Sequence, residues 1–132
     1  MNRGRPEVLI VDDEALIREL LATEFEKRGI STETASNAME ALEKIKTNNF
    51  SLVISDLRMP GGNGELLLKP PSKEDSNPPV ILMTSIVDDT RATLISRGAL
   101  AVIQKPLRIK DLVEEILPYY SSNNSQSPQI QV

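Results

Sequence analysis

The chain contains no cysteine and no histidine among its 132 residues. Without cysteine there are no disulfides, no thiolate metal sites and no thiol nucleophile. Without histidine there is no Ser-His-Asp triad, no imidazole metal ligand and no histidine to be phosphorylated within this chain. Its chemistry must come from carboxylates, hydroxyls, lysine and backbone. Any metal would then be a hard cation held by oxygen: Mg²⁺, Mn²⁺ or Ca²⁺. A basic stripe is also lacking. The net charge is −4, from 15 basic and 19 acidic residues, which argues against direct nucleic-acid binding. No apolar run approaches membrane-spanning length. Behind Met1-Asn2-Arg3-Gly4-Arg5-Pro6 lies only a strand-length apolar run, too short for a signal peptide. A cytoplasmic protein with no membrane partner is expected, and the length suits a single domain.

What is present is an alternation of short apolar runs with amphipathic stretches. Glu7-Val8-Leu9-Ile10-Val11 reads as a buried strand ending in Asp12-Asp13-Glu14. Ile17, Leu20, Leu21 and Phe25 then fall on one helical face, with Arg18, Glu19, Glu24 and Lys27 off it, and Arg28-Gly29 reads as the stop. Residues 30–35 alternate weakly, as an edge strand would. Asn37 with Glu40 three positions on resembles a capping box, opening a helix that buries Ala38, Ala41, Leu42 and Ile45. Leu52-Val53-Ile54-Ser55 is the central strand and delivers Asp56, before Leu57-Arg58-Met59-Pro60 and the turn Gly61-Gly62-Asn63-Gly64.

A third helix is expected near Glu65, carrying Leu66, Leu67 and Leu68 and stopped early by Pro70-Pro71. Residues 70–79 read as a polar loop. Val80-Ile81-Leu82-Met83 is a fourth strand delivering Thr84-Ser85. A weaker helix is expected over 88–97, closed by Gly98, and a fifth strand over 99–103, ending at Gln104-Lys105-Pro106. The last helix sets Ile109, Leu112, Val113, Ile116 and Leu117 on one face. Residues 121–132 are Ser, Asn, Gln and Pro apart from Ile130 and Val132, so a flexible tail or linker stub should follow a domain of residues 1–120. Strict β-α alternation implies a doubly wound five-stranded parallel sheet with helices on both faces, in the flavodoxin-like order 2-1-3-4-5.

In that order four neighbouring strands end in a reactive side chain: Asp12 and Asp13, Asp56, Thr84, and Lys105. Ligand crevices in such sheets lie at the carboxyl ends of the strands. Three carboxylates in one pocket repel, and a divalent cation relieves the repulsion; Mg²⁺ takes one or two carboxylates with waters and phosphate oxygens. A carboxylate is a competent nucleophile toward phosphorus. The charge that spreads over the equatorial oxygens in phosphoryl transfer could meet Mg²⁺, the Lys105 ammonium and the Thr84 hydroxyl. Each piece alone has a plainer use. Asp-Asp before a helix is often an N-cap, Lys-Pro after a strand a turn, and Asp before Leu-Arg-Met-Pro a turn former. The coincidence at four adjacent strand ends is what points to phosphoryl chemistry.

At these residues the chain resembles the receiver (response-regulator) domains of two-component signalling. The matching stretches are Val11-Asp12-Asp13-Glu14, Asp56-Leu57-Arg58-Met59-Pro60 with Gly64 beyond, Met83-Thr84-Ser85, Gly98-Ala99 and Lys105-Pro106, over about residues 7–117. The resemblance implies that Asp56 is the phosphoacceptor and that Asp13, Asp56 and the backbone carbonyl of Arg58 bind Mg²⁺ directly. It implies that Asp12 acts mainly through metal-bound water, that Lys105 partners the phosphate and is joined to Pro106 by a cis bond, and that Thr84 is the switch hydroxyl. Ser85, being small, leaves room for the phosphate, and Arg58 and Ile86 flank the site. The donor would be a separate histidine kinase or phosphotransfer protein, and the reader a downstream protein or output domain. Dimerisation through the last helix is left open.

Two features depart from the family. Val102 stands where an aromatic often lies, three residues before the lysine, and Pro70-Pro71 cuts the third helix short. Both bear on how phosphorylation reaches a partner. A receiver-like binding module that works without phosphorylation is the alternative. A Mg²⁺-dependent phosphohydrolase is disfavoured because position 58, where such enzymes carry a second acid, is arginine.

Overall fold

The computed structural model describes residues 7–68, 78–85, 90–105 and 108–124. The elements are β1 (Val8–Val11), α1 (Ala15–Lys27), β2 (Thr32–Ala35), α2 (Ala38–Thr47), β3 (Leu52–Asp56), a 3₁₀ turn (Gly64–Leu67), β4 (Val80–Thr84), α3 (Thr90–Ser96), β5 (Ala101–Gln104) and α4 (Ile109–Asn124). All the strand pairs are parallel, in the order β2-β1-β3-β4-β5. This is the doubly wound order expected from the alternation.

The sheet separates two apolar layers. Strand side chains alternate between its faces. Leu9, Val11, Val53 and Leu82 pack with α2, the 3₁₀ turn and α3. Val8, Ile10, Ile54 and Ile81 pack with Leu21 and Phe25 of α1 and with Leu112, Val113 and Ile116 of α4. Every residue of β1 is fully buried, which explains why it reads as an unbroken apolar run rather than an alternating one.

Strands β2 and β5 begin later than the apolar pattern suggests, for one reason. Gly29 has φ of +81° and Gly98 of +117°, the left-handed geometry that closes a helix. The next residue is then drawn into that closure: Ile30 N–H donates to Phe25 O at 3.1 Å and Ala99 N–H to Leu94 O at 3.0 Å. Ile30 and Ala99 are buried as helix closures, and the strands start at Thr32 and Ala101.

The expected capping box at α2 is present in altered form. Asn37 Oδ1 accepts from Glu40 N–H at 2.8 Å, but the Glu40 carboxylate takes the N–H and hydroxyl of Ser36, at 2.8 and 2.9 Å. Asn37→Ala should therefore destabilise the protein by about 1 kcal/mol, read as a lower urea midpoint with unchanged slope. An unchanged midpoint would show that Ser36 and Glu40 hold the helix start unaided.

The expected third helix is a single 3₁₀ turn. The prolines invoked to stop it, Pro70 and Pro71, lie outside the described residues, as do Ile86, the start of the expected helix at 88–89, Pro106 with its bond to Lys105, and residues 125–132. The last helix continues to Asn124, past the boundary expected at 120, with Pro118 inside it. Tyr119 and Tyr120 pack against the α1–α4 layer, and the Tyr120 hydroxyl hydrogen-bonds to Glu7 Oε1 at the start of β1. Those contacts hold the turn that Pro118, lacking an N–H, cannot stabilise through its own backbone bond.

Candidate functional site

Strand register brings the expected residues to one edge of the sheet. Val11 lies beside Ser55, and Asp56 beside Met83. One residue further along, Asp12 leaves β1 next to Asp56, and Thr84 ends β4 beside Gln104. Lys105 follows, with its N–H donating to Thr84 O at 2.7 Å. One carboxylate oxygen from each of Asp12, Asp13 and Asp56 lies within 4.8 Å of the others. Lys105 Nζ sits 3.2 Å from Asp12 Oδ2 and 3.4 Å from Asp56 Oδ1.

The two adjacent aspartates are placed very differently. Asp12 is fully buried and each of its polar atoms is engaged. Its N–H donates to Ala35 O at 3.1 Å, and its carbonyl accepts from Arg18 Nη1 at 2.7 Å. Its Oδ1 accepts from Glu14 N–H at 2.9 Å, and its Oδ2 from Lys105. Asp13 is exposed. Asp12 is thus a fixed charge, and Asp13 is open to exchange water for a ligand. Arg18 was legible in the sequence only as one more solvated charge of α1; nothing local marks it as a partner of the Asp12 carbonyl six residues back.

Burial pushes the Asp56 carboxyl up to about 6; Lys105 opposes the rise, and Asp12 and Asp13 add to it. Lys105 shifts upward: burial disfavours its charge, and the Asp12 and Asp56 carboxylates together outweigh that. Among the described residues, one ammonium against three carboxylates leaves an excess of negative charge in a half-buried pocket. Hard oxygen donors, a residual charge near −2 and an exposed Asp13 fit a small divalent cation that keeps some of its water. Asp12, Asp13 and Asp56 are the side chains that could hold it.

Beyond Asp56 the chain makes a tight return. Met59 N–H donates to Asn63 Oδ1 at 3.2 Å, and Gly64 N–H to Leu57 O at 2.8 Å. The Arg58 side chain is exposed at this loop. Thr84 is buried at the end of β4. Val102 is buried too, beside Leu82 in the sheet and within the layer that covers α2 and α3. Among the described residues no helix is long and apolar enough to cross a membrane.

A parallel sheet carrying an acidic pocket and a lysine at its carboxyl end defines a receiver-type signalling module. Residues 8–117 match the response regulator receiver domain family, and the chain belongs to that family. It is 34% identical over 133 residues to the uncharacterized transcriptional regulatory protein YkoG of Bacillus subtilis (strain 168), covering 98% of this chain and 57% of that protein. It is 36% identical over 119 residues to sporulation initiation phosphotransferase F of the same organism, covering 87% of this chain and 96% of that one. The crystal structure of a CheY-like response regulator receiver domain protein from Methanospirillum hungatei JF-1 superposes with a TM-score of 0.77 at 29% identity, covering 91% and 97% of the two chains. The chain thus spans little more than half of one curated relative and nearly all of another. Receivers are signalling domains and not classical enzymes, and this chain is a response-regulator receiver.

Proposed function

We propose that Asp56 accepts a phosphoryl group from a phosphohistidine on a separate protein, a histidine kinase or a phosphotransfer protein. The observation that carries this is the Asp56 carboxylate, half-buried at the sheet end, 3.4 Å from Lys105 and grouped with Asp12 and Asp13. An Asp56 oxygen forms the new P–O bond while the P–N bond to the donor imidazole breaks, and the imidazole leaves with the electron pair. Mg²⁺, held directly by Asp13, Asp56 and the Arg58 carbonyl and by Asp12 mainly through bound water, would supply charge neutralisation at the phosphoryl oxygens. Lys105 supplies a second positive charge from the opposite flank, and the Thr84 hydroxyl turns toward the phosphoryl group.

Thr84 movement biases the β4–α4 side between two states, which a downstream protein or attached output domain reads. With Val102 in place of an aromatic, the signal passes through backbone and packing rather than a ring that swings. The receiver unit would span residues 1–120, with 121–132 as a flexible tail or linker stub whose first residues, to Asn124, continue α4. It would work in the cytoplasm, contacting neither membrane nor nucleic acid directly. Slow self-catalysed loss of the phosphoryl group and phosphorylation-dependent pairing of receivers belong to the same proposal.

Intact-mass spectrometry after incubation with acetyl phosphate tests it. One added phosphoryl group is expected with Mg²⁺, none without it, and none in Asp56→Asn. A folded protein that takes up nothing and ignores Mg²⁺ would point instead to the phosphorylation-independent module.

A further inference from the structure

Among the described glycines, Gly29, Gly61, Gly62 and Gly98 have positive φ; Gly64 does not, so backbone freedom does not account for it. Space does. A Cβ at position 64 would stand 2.5 Å from the Asp56 carbonyl oxygen, 2.8 Å from Ser55 Oγ and 3.0 Å from Leu82 Cδ2. Cβ atoms essentially never approach another atom within 3.0 Å, and the nearest obstacle is backbone, which yields less readily than a side-chain tip. Ser55, fully buried, donates its hydroxyl to that same Asp56 oxygen at 2.9 Å.

The peptide joining Asp56 to Leu57 is therefore held at both ends. Its carbonyl is taken by Ser55 and wedged against Gly64. Its N–H, on Leu57, donates to Met83 O at 2.8 Å. The carbonyl of Leu57 in turn accepts from Gly64 N–H at 2.8 Å. This peptide plane sets the direction in which Asp56 leaves the sheet and in which the Arg58 carbonyl follows. Among the described residues the Ser55 hydroxyl donates to the Asp56 carbonyl alone, and it is a buried polar group that a plain apolar residue could have replaced at lower desolvation cost.

We infer that Ser55 and Gly64 are positioning residues, which clamp the Asp56–Leu57 peptide so that the Asp56 carboxylate and the Arg58 carbonyl aim at one point. The inference rests on the reading of Asp56 as phosphoacceptor and metal ligand. Neither residue touches the phosphoryl group; both act through the backbone of Asp56.

The test compares wild type, Ser55→Ala, Gly64→Ala and the double variant, with Ile116→Val as a control that loosens the far α4 layer. Phosphoryl uptake is measured against acetyl phosphate at saturating Mg²⁺, and Mn²⁺ binding and thermal midpoints are measured on the same samples. Misplacing a reacting group by a fraction of an ångström to an ångström costs on the order of tenfold to a hundredfold in rate, and Gly64→Ala should lose that much in maximal rate. Its half-saturation for acetyl phosphate should stay near wild type. Ser55→Ala should lose a few-fold, and the double variant less than the product of the two, because removing Oγ frees part of the space the new methyl needs. Ile116→Val should melt lower and react at the wild-type rate.

Variants that melt lower but react and bind Mn²⁺ as wild type does would overturn the inference, leaving Gly64 a packing residue. If Gly64→Ala does not fold, Ser55→Ala decides, since it adds no atom: a wild-type rate there overturns the clamp. If wild type itself takes up no phosphoryl group, the reading of Asp56 fails instead. Mn²⁺ binding then decides the clamp, weaker binding in the variants supporting it and equal binding overturning it.

Discussion

With asparagine at position 56, the metal-free protein should become more stable at pH 7 by about 1 to 3 kcal/mol. The Asp56 carboxyl is raised from 3.8 to about 6, chiefly by burial, with Lys105 opposing and the neighbouring aspartates reinforcing. A carboxyl whose folded pKa lies above its unfolded one holds its proton more tightly in the native state. Stability linked to it is therefore greatest below about pH 4 and falls as the pH rises through about 6. A rise of roughly two units is worth about 3 kcal/mol. Asparagine removes the ionisation but also one partner of Lys105, so the net gain is smaller. Urea melts of both proteins in Mg²⁺-free buffer should diverge above about pH 5 and converge near pH 4. Mg²⁺ should then stabilise the wild type far more than the variant. A variant no more stable than wild type at pH 7 would mean that Lys105 outweighs burial at this carboxylate.

Removing the lysine should have the largest effect on phosphoryl uptake. Lys105→Ala leaves Asp12, Asp13 and Asp56 facing one another with no side-chain cation among them. Breaking a buried ion pair from one side costs about 3 to 5 kcal/mol. Lys105 keeps 22% of its side-chain surface exposed, so water screens part of the loss and about 2 kcal/mol is expected. The Asp56 carboxyl should titrate higher still. Uptake from acetyl phosphate should slow by roughly a hundredfold or more, the usual consequence of losing one preorganised charge partner of a phosphoryl or oxyanion group. Divalent binding should persist, because removing a competing cation favours another. Slow uptake with retained Mn²⁺ binding separates the two roles; uptake within a factor of about two of wild type would remove Lys105 from the mechanism.

The proposed path of the signal turns on what lies behind Thr84. Val102 is buried beside Leu82 in the sheet, and a β-branched residue there is stiff about χ1. It offers no ring to exchange between inside and outside. The 3₁₀ turn also adjoins the site, since a Cβ at Gly64 would stand 2.5 Å from the Asp56 carbonyl oxygen. Its Glu65 reaches Arg97, at the end of α3, at 3.7 Å. Leu66 on the turn and Ile95 on α3 are exposed.

Much of this was legible along the chain because the causes are local. Strands buried on both faces must be apolar throughout, so β1, β3 and β4 stand out, and the polar residues that end them stand out in turn. Gly29 and Gly98 mark helix ends because left-handed backbone is cheap only for glycine. Asn37 and Glu40 mark a helix start because a short polar side chain can reach a free N–H within one turn. Together these elements, in this order, determine a doubly wound sheet with Asp12, Asp13, Asp56, Thr84 and Lys105 at one edge.

The tertiary structure alone decided what depends on residues distant in sequence. Asp12 and Asp13 are identical neighbours, and no local pattern says which is buried. Ala35 from β2, Arg18 from α1 and Lys105 after β5 hold three of the four polar atoms of Asp12, the local Glu14 N–H holds the fourth, and Asp13 is left to solvent. Glu40 chose the Ser36 N–H over that of Asn37, and Ile30 and Ala99 joined helix closures instead of strands, because competing hydrogen bonds are settled only once both partners are in place. Gly64 reads as one more turn glycine until the return of the chain sets it against the Asp56 carbonyl. Periodicity and capping report which element a residue belongs to; only the packed sheet settles which atom faces which.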